Sequence, residues 1–106
     1  MPEKYQKTIE LIKKFSPKTF GIKNAYYRIN KDNINLVFIV DEKNASSLIS
    51  YLNSLTKIIE RELGDVKIET SVYVYDKQYK NNKLENNSKL EKIQLTSNIS
   101  YAGAQT

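Results

Sequence analysis

The chain has 106 residues, 40% of them hydrophobic and 27% charged, the composition of one globular domain with a single modest core. Cysteine and histidine are absent. That excludes disulfides, thiol chemistry and nucleophile–histidine dyads, and a zinc site would need carboxylates alone. The net charge of +5 is uneven: eight Lys/Arg stand against two Asp/Glu over residues 1–31, four against eight over 32–76, and five against two over 77–106.

Basic ends around an acidic middle suit nucleic acid or an acidic partner, although the lysines are scattered and read equally as a solvated surface. No run approaches the ~18 apolar residues that span a bilayer. The N-terminus lacks the apolar core of a signal peptide. The expectations are no membrane contact and a cytoplasmic location.

In chain order, residues 4–15 read as a helix. Tyr5, Ile9, Ile12 and Phe15 recur at helical spacing, with Leu11 widening the stripe. Ser16-Pro17 ends it, because the residue before proline leaves the helical region. Residues 19–22 are a short strand candidate. Residues 23–30 fit either one helical turn or an irregular strand, and 31–33 are turn chemistry. Residues 34–40 form a strand, apolar on both faces beyond Asn35 and therefore central in its sheet. Asn44 suits an N-cap for a helix over 45–63. Its stripe is Leu48, Leu52, Leu55 and Ile59, and Gly64 stops it. Residues 66–75 alternate cleanly, with Val66, Ile68, Thr70, Val72 and Val74 on one face and Lys67, Glu69, Ser71, Tyr73 and Tyr75 on the other. A polar loop follows, with a short helix near 88–93 as one option for its end.

The fold expected is α/β or α+β. It is one domain over 1–106, with a core at about 4–75, a polar mobile loop at about 76–92 and a closing element at about 93–101. A mixed sheet of about three to five strands packs against two main helices. The helix between 34–40 and 66–75 makes those strands parallel.

Two asparagines, Asn33 and Asn35, enter the central strand one residue apart and so share a face. Together with Phe15-Ser16-Pro17-Lys18-Thr19-Phe20-Gly21, Ala25-Tyr26-Tyr27-Arg28 and Asp32-Asn33-Ile34-Asn35-Leu36, the element order resembles the minimal nucleotidyltransferases of the polymerase-beta-like superfamily. That resemblance implies a helical segment over 23–30 and a cleft near Gly21, Arg28, Asn33, Asn35 and Glu69. Ser71 is the alternative to Glu69 as the third metal-binding position, and residues 88–103 would carry the family's closing pattern. Ile22 stands where the family has a serine, and Asn33 and Asn35 stand where it has aspartates. Neutral amides cannot offset the charge of two Mg²⁺ ions. The implied protein is a catalytically degenerate relative, not an enzyme, with no metal and no cofactor, acting as a binding or regulatory module.

Two other readings use the same residues. A ferredoxin-like interaction or dimerisation module, with a protein partner or a second copy, would pair 22–30 with 34–40 as an antiparallel hairpin. A basic nucleic-acid-binding domain would use Tyr26, Tyr27, Tyr73, Tyr75 and Tyr79, with Arg28, Lys23, Lys77 and Lys80, as a stacking and phosphate-binding platform. Asparagine also suits turns and strand entries, and tyrosine suits half-buried strand faces, with no ligand involved. Asp32 and Asp41 suit solvated loops.

Overall fold

The computed structural model describes residues 1–75 and 89–96. Helix α1 (Glu3–Phe15) leads through a 3₁₀ turn (Lys18–Phe20) into β1 (Ile22–Ile29) and β2 (Ile34–Val40). A second 3₁₀ turn (Glu42–Asn44), α2 (Ala45–Leu63), β3 (Ile68–Val74) and β4 (Glu91–Ile93) complete the order. The sheet runs β3-β2-β1-β4. The β1–β2 and β1–β4 pairs are antiparallel, and β2–β3 is parallel. The fold is α+β, a small mixed sheet with two helices on one face.

That face holds the main core. Ile34, Leu36, Phe38 and Val40 are fully buried beneath Leu48, Leu52, Leu55 and Ile59 of α2 and Tyr5, Ile9 and Ile12 of α1. β2 is buried because strands flank it on both sides and apolar residues cover both its faces. On the other face, Tyr26, Val37 and Ile39 form a smaller buried cluster, with Tyr75 and Leu90 packed against it.

α2 runs from Ala45 to Leu63, as its periodicity predicts. Gly64 takes φ 80° and donates its N–H to Glu60 O at 2.9 Å, the expected glycine stop. Asn44 stands at the N-cap without a side-chain capping bond, because the preceding residues already turn as a 3₁₀ helix.

The entry to the sheet departs from expectation. Residues 18–20 make a 3₁₀ turn, where a strand over 19–22 is predicted. Gly21 ends that turn in the left-handed region, at φ 101°, donating to Lys18 O and accepting from Asp41 N at 2.7 Å. The ambiguous segment 23–30 is extended and belongs to β1, paired with β2 from Ile22↔Val40 to Ile29↔Ile34. The helical turn implied by the nucleotidyltransferase resemblance is therefore not formed there. Apolar contacts on the helix side (Ala25, Tyr27, Ile29) and on the open side (Tyr26) favour the strand.

Near the C-terminus, 91–93 form a strand, where the sequence suggests loop or helix, and Leu95 joins the core. The rest of the expected polar loop and closing element, including Lys77, Tyr79 and Lys80, lies outside the described residues.

Candidate functional site

Pairing aligns three of the singled-out residues in one row. Arg28 of β1 lies beside Asn35 of β2, which lies beside Glu69 of β3. All three side chains project from the face opposite the helices, where Asn30 and Asn33 join them from the β1–β2 turn. The turn itself closes through Asn30 N to Asn33 O, at 2.8 Å.

The side chains form one hydrogen-bond network. Asn30 Nδ2 donates to Asn33 Oδ1 at 2.9 Å, and Asn33 Nδ2 donates to Glu69 Oε1 at 3.1 Å. The Asn35 carboxamide is oriented by its neighbours. Its oxygen accepts from Arg28 Nη2 at 3.0 Å and Asn30 Nδ2 at 3.1 Å, and its nitrogen donates to Glu69 Oε2 at 3.2 Å and Asn33 Oδ1 at 3.1 Å. Asn35 thus links a cation on one side to an anion on the other. Arg28 Nε is buried without a hydrogen-bond partner.

The chemistry of this cluster is limited. It carries one positive and one negative charge, and Glu69 is its one carboxylate. No group of three His, Cys, Asp or Glu side chains among the described residues is placed to hold a metal ion. A triphosphate would meet the Glu69 charge as well as that of Arg28, and most amide donors are already engaged. The arrangement ties three strands together.

Of the residues assigned to a nucleotide cleft, Arg28, Asn33, Asn35 and Glu69 lie within one hydrogen-bonded cluster. Gly21 does not join them. It neighbours Asp41 at the far end of β2, about 20 Å away by strand rise. There it lines a depression with Lys18, Lys23, Asn24, Asp41 and Tyr75.

The proposed aromatic platform is also divided. Tyr26 is 4% exposed and packs in the open-face cluster, so its ring face is not available for stacking. Tyr27 points to the opposite face, where its hydroxyl donates to Glu91 Oε2 at 2.6 Å. That bond, then burial and the Glu91 charge, raise the Tyr27 pKa above 10.0. Tyr73 is exposed, and Tyr75 carries the Lys23 ammonium 4.5 Å from its ring centroid.

A second feature was not legible in the sequence. β3 is an edge strand, and no strand lies beyond it among the described residues. Ile34 N donates to Lys67 O at 3.0 Å and Tyr75 N to Val40 O at 2.8 Å. The odd-numbered residues of β3 therefore bond to β2, and Ile68, Thr70, Val72 and Val74 aim their amides and carbonyls outward. Glu60 of α2 takes the first of these, with Ile68 N donating to its Oε2 at 2.7 Å. The outward amides of Thr70, Val72 and Val74 have no such partner among the described residues. Tyr73 and Val74 on this strand are 52% and 44% exposed.

Two of the usual blocks to edge pairing, proline or lysine in the strand and a bulge, are absent from β3. Its sequence IETSVYV contains no proline and no lysine, and its seven-residue register with β2 is unbroken. Beneath it, Thr70 Oγ1 bonds Thr56 Oγ1 at 3.0 Å, fixing the strand to α2. No helix among the described residues is long and apolar enough to cross a membrane. Comparison with known proteins leaves the geometry to speak alone: no family model, no curated protein and no solved structure matches this chain significantly.

Proposed function

We propose that this chain is a non-enzymatic interaction module that binds a protein partner by adding a strand to the outer edge of β3. The observation that carries this reading is the outward row Thr70, Val72 and Val74, which meets no other strand among the described residues, with Tyr73 and Val74 exposed. An unpaired edge of this kind supplies backbone donors and acceptors to any extended segment, and alternate side chains supply selectivity. The antiparallel β1–β2 hairpin is the pairing expected of a ferredoxin-like interaction module.

A second reading keeps the Arg28, Asn33, Asn35 and Glu69 cluster as a vestigial nucleotide site. Its support is the convergence of those residues within hydrogen-bond distance. The near-cancelling charge of the cluster, and the place of Gly21 at the opposite end of the sheet, favour the interaction module.

The test is an amide NMR titration of the full chain with two probes. One is a set of extended seven-residue peptides alternating β-branched and polar residues, and the other is ATP with Mg²⁺. The interaction reading expects peptide-induced shifts at Thr70, Val72 and Val74, and none at Arg28, Asn33 or Asn35 with nucleotide. Silence along β3 together with nucleotide-induced shifts at the cluster would reverse the assignment.

A further inference from the structure

We infer that the segment taken up at the β3 edge is an extended stretch of β-branched residues that carries a lysine or arginine beside Glu60. This rests on the interaction reading above and names the chemistry of its partner.

The Glu60 carboxylate stands in the line of the edge. Ile68 is an even-numbered residue of β3, so its N–H points away from β2, toward where a further strand would lie. That N–H donates to Glu60 Oε2 at 2.7 Å. The carboxylate oxygen therefore takes the place that a carbonyl of the added strand would take at Ile68. The ladder on offer is cut to Thr70, Val72 and Val74. The partner residue next beyond Thr70 meets a carboxylate instead of a backbone group.

That carboxylate has unused capacity. An ionised carboxylate has about four acceptor sites, and Glu60 uses one on Ile68. Its Oε1 has no hydrogen-bond or ion-pair partner among the described residues. Glu60 is half-buried, so an added strand would strip it of more water. A covered charge is unfavourable unless it is paired. A lysine or arginine at that point pairs it, and an acidic residue sets like charges together. Glu69, the carboxylate of β3 itself, has both oxygens engaged by Asn33 and Asn35, so the selection falls to Glu60.

The rest of the edge is apolar on the helix side. Val72 packs there against the main core, and Val74, two residues on, is 44% exposed. Side chains of an added strand that point the same way would lie beside them, and β-branched neighbours suit that half-buried surface. Thr70 is tied to Thr56 of α2 at 3.0 Å, so the edge is ordered before a partner arrives.

Isothermal calorimetry of the full chain with matched seven-residue peptides tests this. All share a core of valine, threonine and isoleucine, with lysine, glutamine or glutamate at either the first or the last position. Strand direction decides which end reaches Glu60, and the two sets read it. At that end lysine should bind about three- to fivefold tighter than glutamine, and glutamate weaker by a similar factor, the scale of one partly screened ion pair. The net charge of +5 acts on both ends alike, so a lysine preference confined to one end is local. Glu60→Gln keeps an oxygen for the Ile68 amide and removes the charge, and should level the three peptides.

Equal affinity of the lysine and glutamate peptides for the unsubstituted chain, at both ends, would overturn the inference, and this comparison needs no variant to fold. So would a lysine preference that survives Glu60→Gln. If the peptides bind without regard to charge and still shift the amides of Thr70, Val72 and Val74, the charge selection is wrong and the interaction module stands. If no peptide binds, the edge reading and this inference fall together.

Discussion

Replacing Asn35 by aspartate probes the polar row directly. The new carboxylate would lie about 3.2 Å from Glu69 Oε2 and would lose the donor bonds to Glu69 and Asn33. Two unit charges about 4 Å apart repel by about 1 kcal/mol in a water-like medium and about 4 kcal/mol at the effective dielectric of a protein surface. Each lost hydrogen bond costs about 1 kcal/mol. Against this, Arg28 Nη2, 3.0 Å from the present amide oxygen, gains a charged partner worth about 0–1 kcal/mol at a half-exposed site. The net expectation is a loss of about 2–3 kcal/mol at pH 7.5, which is roughly 10–20 °C in Tm for a domain of this size.

The sign of its pH dependence follows. Beside the Glu69 charge, the introduced aspartate carboxyl titrates above its unfolded value near 3.9. A group whose folded pKa is raised gains relative stability as pH falls, because one proton shared by the pair removes the repulsion. The deficit should be full at pH 7.5 and much reduced at pH 4.5. Urea denaturation followed by circular dichroism at both pH values measures it. A deficit below about 0.5 kcal/mol at pH 7.5, or one unchanged at pH 4.5, would refute the linkage between Arg28, Asn35 and Glu69.

Three further changes test other contacts. Glu60→Ala should cost about 1–2 kcal/mol by freeing the Ile68 amide, and Glu60→Gln about half of that; equal stability of all three chains in urea would remove the cap from the account. Tyr27→Phe should cost at most about 1 kcal/mol at pH 8, since its bond to Glu91 is solvent-exposed. Because the folded Tyr27 pKa is raised above 10.0, that advantage is full below pH 10 and shrinks as pH rises through the folded value; a difference from the phenylalanine chain that grew above pH 10 would contradict this. Gly21→Ala should cost about 1–2 kcal/mol, because φ is 101° and the added Cβ would lie 3.1 Å from Leu48 Cδ1. Thermal melts unchanged by that substitution would mean the turn relaxes freely.

Much of the fold follows from periodicity. Leu48, Leu52, Leu55 and Ile59 repeat at helical spacing and mark α2, while residues 34–40 are apolar on both faces and mark the central strand. The alternation over 66–75 sorts the two faces of β3 correctly. β1 is harder to read, because Tyr26 and Tyr27 put an aromatic on each face and blur the period of two. Its pairing also shifts between Ile22 and Asn24, so no clean alternation reaches its start. The three-residue β4 is too short to carry a period at all.

The polar row was half legible. Asn33 and Asn35 share a face by strand geometry alone, but their meeting with Arg28 and Glu69 depends on register across three strands. Asn30 gave no separate signal. Glu60 reads as one more solvent-facing helix residue, and only the fold places it at the end of the β3 edge. The open edge is likewise a property of strand order, which no local pattern encodes.

The most direct test of the central claim is amide hydrogen exchange along β3, resolved by residue, with and without an extended seven-residue peptide. Ser71 and Tyr73 point into the β2 ladder and should be protected in both. Thr70, Val72 and Val74 should exchange quickly in the free chain and slow together as peptide is added. If those three stay fast at every peptide concentration while their odd-numbered neighbours stay protected, the β3 edge is not where this chain takes a partner strand.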